Sequence, residues 1–131
     1  MPERERVESF VACVVSGKHV EAIEEYYHVD ASMQENLTSP RRGRDALLQH
    51  EKSALAKVSE VRTHSPEAVL IDGDHVAVRW VFDVIGKDGL TRRLEEVALQ
   101  RWRGDRIEAE QFFYDTATAW QIVPASDTKP V

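Results

Sequence analysis

The chain predicts an α+β domain in which three helices pack on one face of a curved antiparallel sheet. Residues 76–115 read as three consecutive strands joined by Gly-Asp turns. Three segments within residues 1–58 instead space their apolar residues for helices. The resulting order is helix, helix, short strand, helix and then four strands.

Pro2 suits a first helical turn, and Val7, Phe10, Val11, Val14 and Val15 recur at helical spacing before Ser16-Gly17 ends the element. A second helix runs from Lys18 to Tyr27, with Val20, Ile23 and Tyr27 along one side. Asp30 introduces a short extended segment, Ala31 to Asn36. Thr38-Ser39-Pro40 and the basic pair Arg41-Arg42 mark a loop. The third helix covers Asp45 to Val58 with a stripe of Leu47, Leu48, Ala54, Leu55 and Val58. His50 and Glu51 lie in or beside that stripe, either at its edge reaching water or pointing into a cavity between helix and sheet. Val61 to Ile71 is a strand broken at Ser65-Pro66, and Asp72-Gly73 turns into the meander.

In the first meander strand, Val76, Val78, Trp80, Phe82 and Val84 alternate with Ala77, Arg79, Val81, Asp83 and Ile85. Gly86-Lys87-Asp88-Gly89 turns into Thr91 to Arg103, and Gly104-Asp105 into Ile107 to Asp115. Setting Ile85 opposite Leu90 puts Arg79 across from Glu96 and Asp83 across from Arg92, both favourable charge pairs, with Val78 meeting Val97 on the other face. Arg79, Asp83, Glu96 and Gln100 then share a face with Val81, Leu94 and Ala98, which is exposed or lines a polar cavity. Thr116 to Val123 form a short helix or extension. The expected domain is 1–123, with 124–131 a frayed tail.

The chain has 131 residues, a net charge of −6 and one cysteine. That length allows one core, and the acidic balance offers nothing to nucleic acid or an anionic membrane. No apolar run spans a bilayer, and the charged start is unlike a signal peptide, which points to the cytoplasm. Cys13 lies in an apolar helical stretch and reads as a structural thiol. The five histidines have no metal-ligand spacing, and no phosphate loop is present, so neither metal nor nucleotide is expected.

This order of elements, with Glu95-Glu96-Val97-Ala98-Leu99-Gln100-Arg101-Trp102-Arg103 followed by Ile107 to Tyr114-Asp115, resembles the nuclear transport factor 2-like superfamily and its SnoaL-like branch. The resemblance implies a cone-shaped sheet with the helices on its concave face. It also implies a cofactor-free isomerase, cyclase or hydrolase, or else a noncatalytic ligand-binding or dimerisation module. Gln34-Glu35-Asn36 with Gly43-Arg44-Asp45-Ala46 is similar to limonene-1,2-epoxide hydrolase. There Asn36 matches a water-holding Asn, Gln34 stands in place of a Tyr, and Asp83 matches the first catalytic aspartate. Val81 and Phe112 replace that family's catalytic Arg and second Asp, so the likeness implies a pocket rather than epoxide hydrolysis. The paired Asp and Tyr of ketosteroid isomerase are not in matching positions.

By position the pocket would receive Gln34, Asn36, Arg79, Asp83, Glu96 and Gln100, with Glu51 above. A strict two-residue turn at Gly104-Asp105 would send Glu110 to the opposite face from Glu96; a bulge there, which the resemblance favours, would bring Glu110, Phe112 and Tyr114 in. Asp83 and Glu110 are then the expected catalytic acid/base pair, because desolvation raises a carboxyl toward neutral pH. The expected ligand is a small, largely apolar molecule. Apolar residues on both faces of the sheet predict a homodimer through it.

Overall fold

A computed structural model describes residues 1–124. Residues 125–131, most of the expected frayed tail, lie outside the described residues. Helix α1 (Arg4–Val15) buries Val7, Phe10 and Val14. Gly17, at φ +88°, lets the chain leave this helix, its N–H reaching the carbonyl of Val14 at 3.0 Å. Helix α2 (His19–Tyr26) buries Ala22, Ile23 and Tyr26. It stops one residue earlier than expected, because Tyr27 already belongs to strand β1 (Tyr27–Glu35). The Cys13 thiol is half-buried and faces the carbonyl of Lys18 at 3.6 Å. Helix α3 (Arg44–Ala56) buries only Leu47 fully, since much of its inner face roofs a cavity instead of resting on the sheet.

The remaining strands are β2 (Arg41–Arg42), β3 (Val58–Thr63), β4 (Val69–Asp72), β5 (His75–Gly86), β6 (Thr91–Arg103), β7 (Arg106–Phe113) and β8 (Gln121–Ile122). They form one curled, half-barrel sheet ordered β2-β1-β7-β6-β5-β3, with β4 also on β5 and β8 on β6. The sheet is mixed rather than wholly antiparallel, because β1 runs parallel to β7. The chain crosses the sheet between these two strands through α3 and the meander. β3 and β4 pair with successive halves of β5, so the expected break at Ser65-Pro66 divides one long edge. Thr116 to Trp120 is a turn, and β8 supplies the expected extension. Among the described residues no helix is long and apolar enough to cross a membrane.

The expected register between β5 and β6 is wrong by one residue. Gly89 takes φ +81° and Gly86 N–H bonds to the carbonyl of Leu90 at 2.9 Å, so one extra residue bulges out of the turn. Ile85 therefore pairs with Thr91, Trp80 with Glu96 and Asp83 with Arg93. A slip of one exchanges the faces of a strand. Leu94, Glu96, Ala98, Gln100 and Trp102 turn inward with Val76, Val78 and Trp80, while Arg79 and Asp83 turn outward. The β6–β7 hairpin contains the expected bulge: Trp102 pairs with Ile107 but Gln100 with Glu110, which returns Glu110 to the inner face.

The core centres on Phe10. Its ring meets Tyr26, Tyr27, Trp80 and Trp102 edge-on, with centroids 5.4, 6.1, 6.5 and 6.1 Å away. On the outer face Asp83 is only 2% exposed. It accepts from Arg93 Nε at 2.7 Å and Nη2 at 3.0 Å, and bonds His64 Nε2 at 2.8 Å. Burial alone would raise the Asp83 pKa, but the bonds and charges of Arg93 and His64 outweigh it and hold it below the ordinary value.

Asp83→Asn should therefore cost roughly 2–3 kcal/mol in urea unfolding at neutral pH, toward the low end for a broken pair because both partners reach water. A depressed pKa contributes stability above the unfolded value that is lost as pH falls through the folded one, so parent and variant should converge below about pH 4. A variant as stable as its parent at neutral pH would show that the triad does not hold the fold.

Candidate functional site

Between α2, α3 and the concave face of the sheet lies a cavity of about 480 Å³. Trp80, Phe82, Leu94 and Phe112 give it apolar walls, and α3 closes it with Glu51, Ala54 and Leu55. Four carboxylates line it: Glu35 from β1, Glu51 from α3, Glu96 from β6 and Glu110 from β7. Glu35 follows from the parallel pairing of Glu35 with Phe112, whose side chain faces inward.

Glu110 is 3% exposed, and both its oxygens are held. The Tyr27 hydroxyl donates to Oε1, and Gln100 Nε2 donates to Oε2 at 2.7 Å. Trp102 Nε1 donates in turn to Gln100 Oε1 at 3.0 Å, so the amide can present only its N–H groups to the carboxylate. Burial pushes the Glu110 pKa up, the bonds from Tyr27 and Gln100 pull it back, and the charges of Glu35 and Glu51 add to the rise; the result is about 7. Burial and the adjacent Glu110 push the Tyr27 hydroxyl well above its ordinary value, so it remains a donor.

Glu96, between Leu94 and Ala98 on the inner face, has no hydrogen-bond or ion-pair partner among the described residues and is 7% exposed. Burial, followed by the charges of Glu35, Glu110 and Glu51, raises its pKa to about 8. Burial and Glu35 also raise that of Glu51. Burial raises the pKa of the Tyr114 hydroxyl, and the charge of Glu35 raises it further. The Glu110 carboxylate accepts two hydrogen bonds and Glu96 accepts none, which makes Glu110 the readier of the two to ionise.

Of the residues expected in the pocket, Glu51, Glu96, Glu110, Phe112 and Tyr114 line the cavity. Gln100 stands behind Glu110 as its hydrogen-bond donor. Four others are corrected. Asp83 lies on the outer face with Arg93 and His64, a consequence of the Gly89 bulge. Arg79 faces outward too, within 3.3 Å of Glu95 and 3.6 Å of Glu67, and does not meet Glu96. The Gln34 amide donates to the carbonyl of Thr38 at 2.8 Å. Asn36, at φ 47°, ties β1 to β7 by accepting from the Tyr114 N–H at 3.0 Å.

Tyr27 and Glu35 escaped sequence reading. Tyr27 fitted the stripe of α2, and the β1 pattern is interrupted by a register shift between Tyr27 and Ser32. The described residues contain no group of three or more His, Cys, Asp or Glu arranged to hold a metal ion.

A family profile described as a SnoaL-like domain matches residues 7–110. The fold is similar to that of a candidate SnoaL-like polyketide cyclase, also labelled a carbohydrate phosphatase, from Mesorhizobium loti, with 26% identity, 87% of this chain and 100% of that one covered, and a TM-score of 0.72. It is also similar to a ketosteroid isomerase-like protein from Catenulispora acidiphila in complex with trimethylamine (20% identity, 88% and 89% covered, TM-score 0.72). An epoxide hydrolase of the limonene type from M. tuberculosis gives 16% identity, 88% and 84% coverage and a TM-score of 0.69. The last two likenesses establish the fold alone. No curated protein matches the chain.

The raised carboxyls set the sign of the pH dependence. The folded chain keeps protons on Glu96 and Glu110 that the unfolded chain has released, so their contribution to stability falls as pH rises from 4.5 to about 8. Glu96→Gln, which mimics the protonated acid, should raise the unfolding free energy at about pH 8 by roughly 2–4 kcal/mol and change it little near pH 5. Urea titrations giving the same difference at both values would rule out a buried, neutral Glu96.

Proposed function

Because this chain belongs to the SnoaL-like domain family, we propose that it is a small-molecule enzyme of the isomerase, cyclase or hydrolase type, working without a cofactor by carboxylate acid/base chemistry in the cavity. The observation that carries this reading is Glu110: a buried carboxyl with a pKa of about 7, held at both oxygens and facing an apolar cavity. A base of that strength is half available at neutral pH and strong enough to take a proton from an activated carbon or from water. Tyr27 and Gln100 are positioning residues that fix the carboxylate plane. Glu96, protonated at the same pH, donates to the substrate oxygen on which charge develops. Two like groups with different proton affinities thereby take opposite roles. The aromatic walls exclude water from the transfer. Asp83 has no part in this chemistry.

That a relative of the same fold was crystallised with trimethylamine supports the cavity as a small-molecule site. The test is a turnover screen with small carbonyl compounds and epoxides. For any substrate found, Glu110→Gln should lower kcat/KM by about a hundredfold or more while leaving the melting temperature nearly unchanged. The parent's pH profile should fall away below about pH 7. Undiminished turnover by the variant would remove Glu110 from the mechanism, and saturable binding without turnover would leave a noncatalytic ligand-binding module.

We also propose that the outer face of the sheet joins two copies of the chain. Val97 pairs with Phe113 across β6 and β7 with Leu99 beside them, and each is 41% exposed. A monomer seldom leaves such a patch in water. Light scattering at micromolar concentration should give a dimer, and Leu99→Glu a monomer; a monomeric parent would overturn the proposal.

A further inference from the structure

We propose that the ligand of this cavity is an organic cation, an ammonium group carried on an apolar body, with its charge among Glu51 and Glu96 and its body against the aromatic wall. The proposal rests on the reading of the cavity as a ligand site and adds the chemical class. Its starting point is Glu96, more than nine-tenths buried, directed into the cavity and without a partner. Buried carboxyls elsewhere in the chain are satisfied: Asp83 by Arg93 and His64, Glu110 by Tyr27 and Gln100. The Glu96 oxygens open into the cavity, since no buried side-chain oxygen among the described residues lacks a hydrogen-bond partner, so a ligand there meets the carboxyl directly.

The surroundings determine the sign of that ligand. Glu35, Glu51, Glu96 and Glu110 face the cavity from four elements, against Arg41, Arg92, His19 and His50. Arg92 is committed to Asp88 at 3.0 Å, Arg41 is exposed on β2, and neither bonds a cavity carboxylate. His19, whose pKa burial lowers, stays neutral and faces Thr63 at 3.4 Å. An anion would add repulsion, an apolar molecule would leave Glu96 as it is, and a neutral acceptor would engage only its protonated form, whereas a cation answers all four carboxylates. A small metal ion would need a ligand cluster that the described residues do not form. Trp80 and Phe82 stack with centroids 5.6 Å apart, and Trp120 and Tyr114 also border the space. These aromatic groups attract an alkylammonium by cation–π contact while burying its carbon.

The test uses a pair equal in shape and different in charge: phenyltrimethylammonium and tert-butylbenzene. Calorimetry at about pH 8.5 should show the cation binding at least tenfold more tightly than the hydrocarbon. The advantage should shrink at about pH 6, where the carboxyls regain protons, and since neither probe titrates the change would belong to the protein. Glu96→Gln should weaken the cation by about tenfold and leave tert-butylbenzene within about twofold, which also shows that the variant is folded. Glu108→Gln, at the surface, should change neither. Equal or tighter binding of the hydrocarbon, or a cation affinity indifferent to Glu96→Gln, would overturn the charge assignment while the ligand site stands. Failure of both probes to bind would overturn both readings.

Discussion

Two bulged residues decide what this sheet can do. Gly89 adds one residue to the β5–β6 turn, and the irregularity between Trp102 and Arg101 adds one to the β6–β7 hairpin. The first turns Glu96 and Gln100 toward the helices and Asp83 away from them. The second turns Glu110 the same way. Without the first, Glu96 would meet Arg79 in a cross-strand ion pair; without the second, Glu110 would face outward while Gln100 faced in. Because strand faces alternate with period two, each shift is all or nothing. The hydrogen-bond chain from Trp102 through Gln100 to Glu110 depends on the second, which sets Glu110 opposite Gln100.

Burying carboxyls opposes folding, so the surrounding structure must compensate. The aromatic cluster around Phe10 lies beside the site and includes Tyr27 and Trp102, residues that also take part in the Glu110 network. One set of rings thus packs the core and positions the acid. On the opposite face the Asp83 triad ties β3, β5 and β6 together with good geometry and partial access to water, the conditions under which an ion pair contributes net stability. The inner face gathers carboxyls without ion pairs among the described residues, and the outer face pairs its charges. α3 carries few large side chains toward the sheet, which leaves space where a tighter core would have excluded water and ligand alike.

Helices, strands and the meander were legible because each depends on local periodicity: the α1 stripe, the alternation of β5 and β6, and the Gly-Asp turns. The site was legible in part. Glu110, Phe112 and Tyr114 were placed inward only by supposing a bulge, and Glu96 was placed in a cavity with the wrong partners. The register failed because two pairings looked favourable, Arg79 with Glu96 and Asp83 with Arg92, and the sequence does not distinguish a four-residue turn from one with a bulged Gly89. The structure satisfies the same charges differently, Asp83 with Arg93 and Arg79 with Glu95. The parallel β1–β7 pairing joins residues about eighty positions apart and leaves no local trace. Tyr27 and Glu35, both positioned by that pairing, were accordingly missed.

The acid/base reading and the cation reading constrain each other. Among the site's own groups the first proton lost belongs to Glu110, since its carboxylate receives two hydrogen bonds and Glu96 receives none. An ammonium group beside Glu96 favours its ionised form and would draw that proton off, because an opposite charge in a desolvated site lowers a carboxyl pKa. Glu96 would then be an anchor and no longer a donor. Catalysis on a cationic substrate would leave Glu110 both to take the proton and to return it, a one-base transfer within a single molecule. A neutral substrate would keep Glu96 protonated and allow acid and base to act together. The charge of the ligand therefore selects between a two-group mechanism and a shuttle on one carboxylate, and the hydrogen bonds from Tyr27 and Gln100 serve either by holding that carboxylate in place.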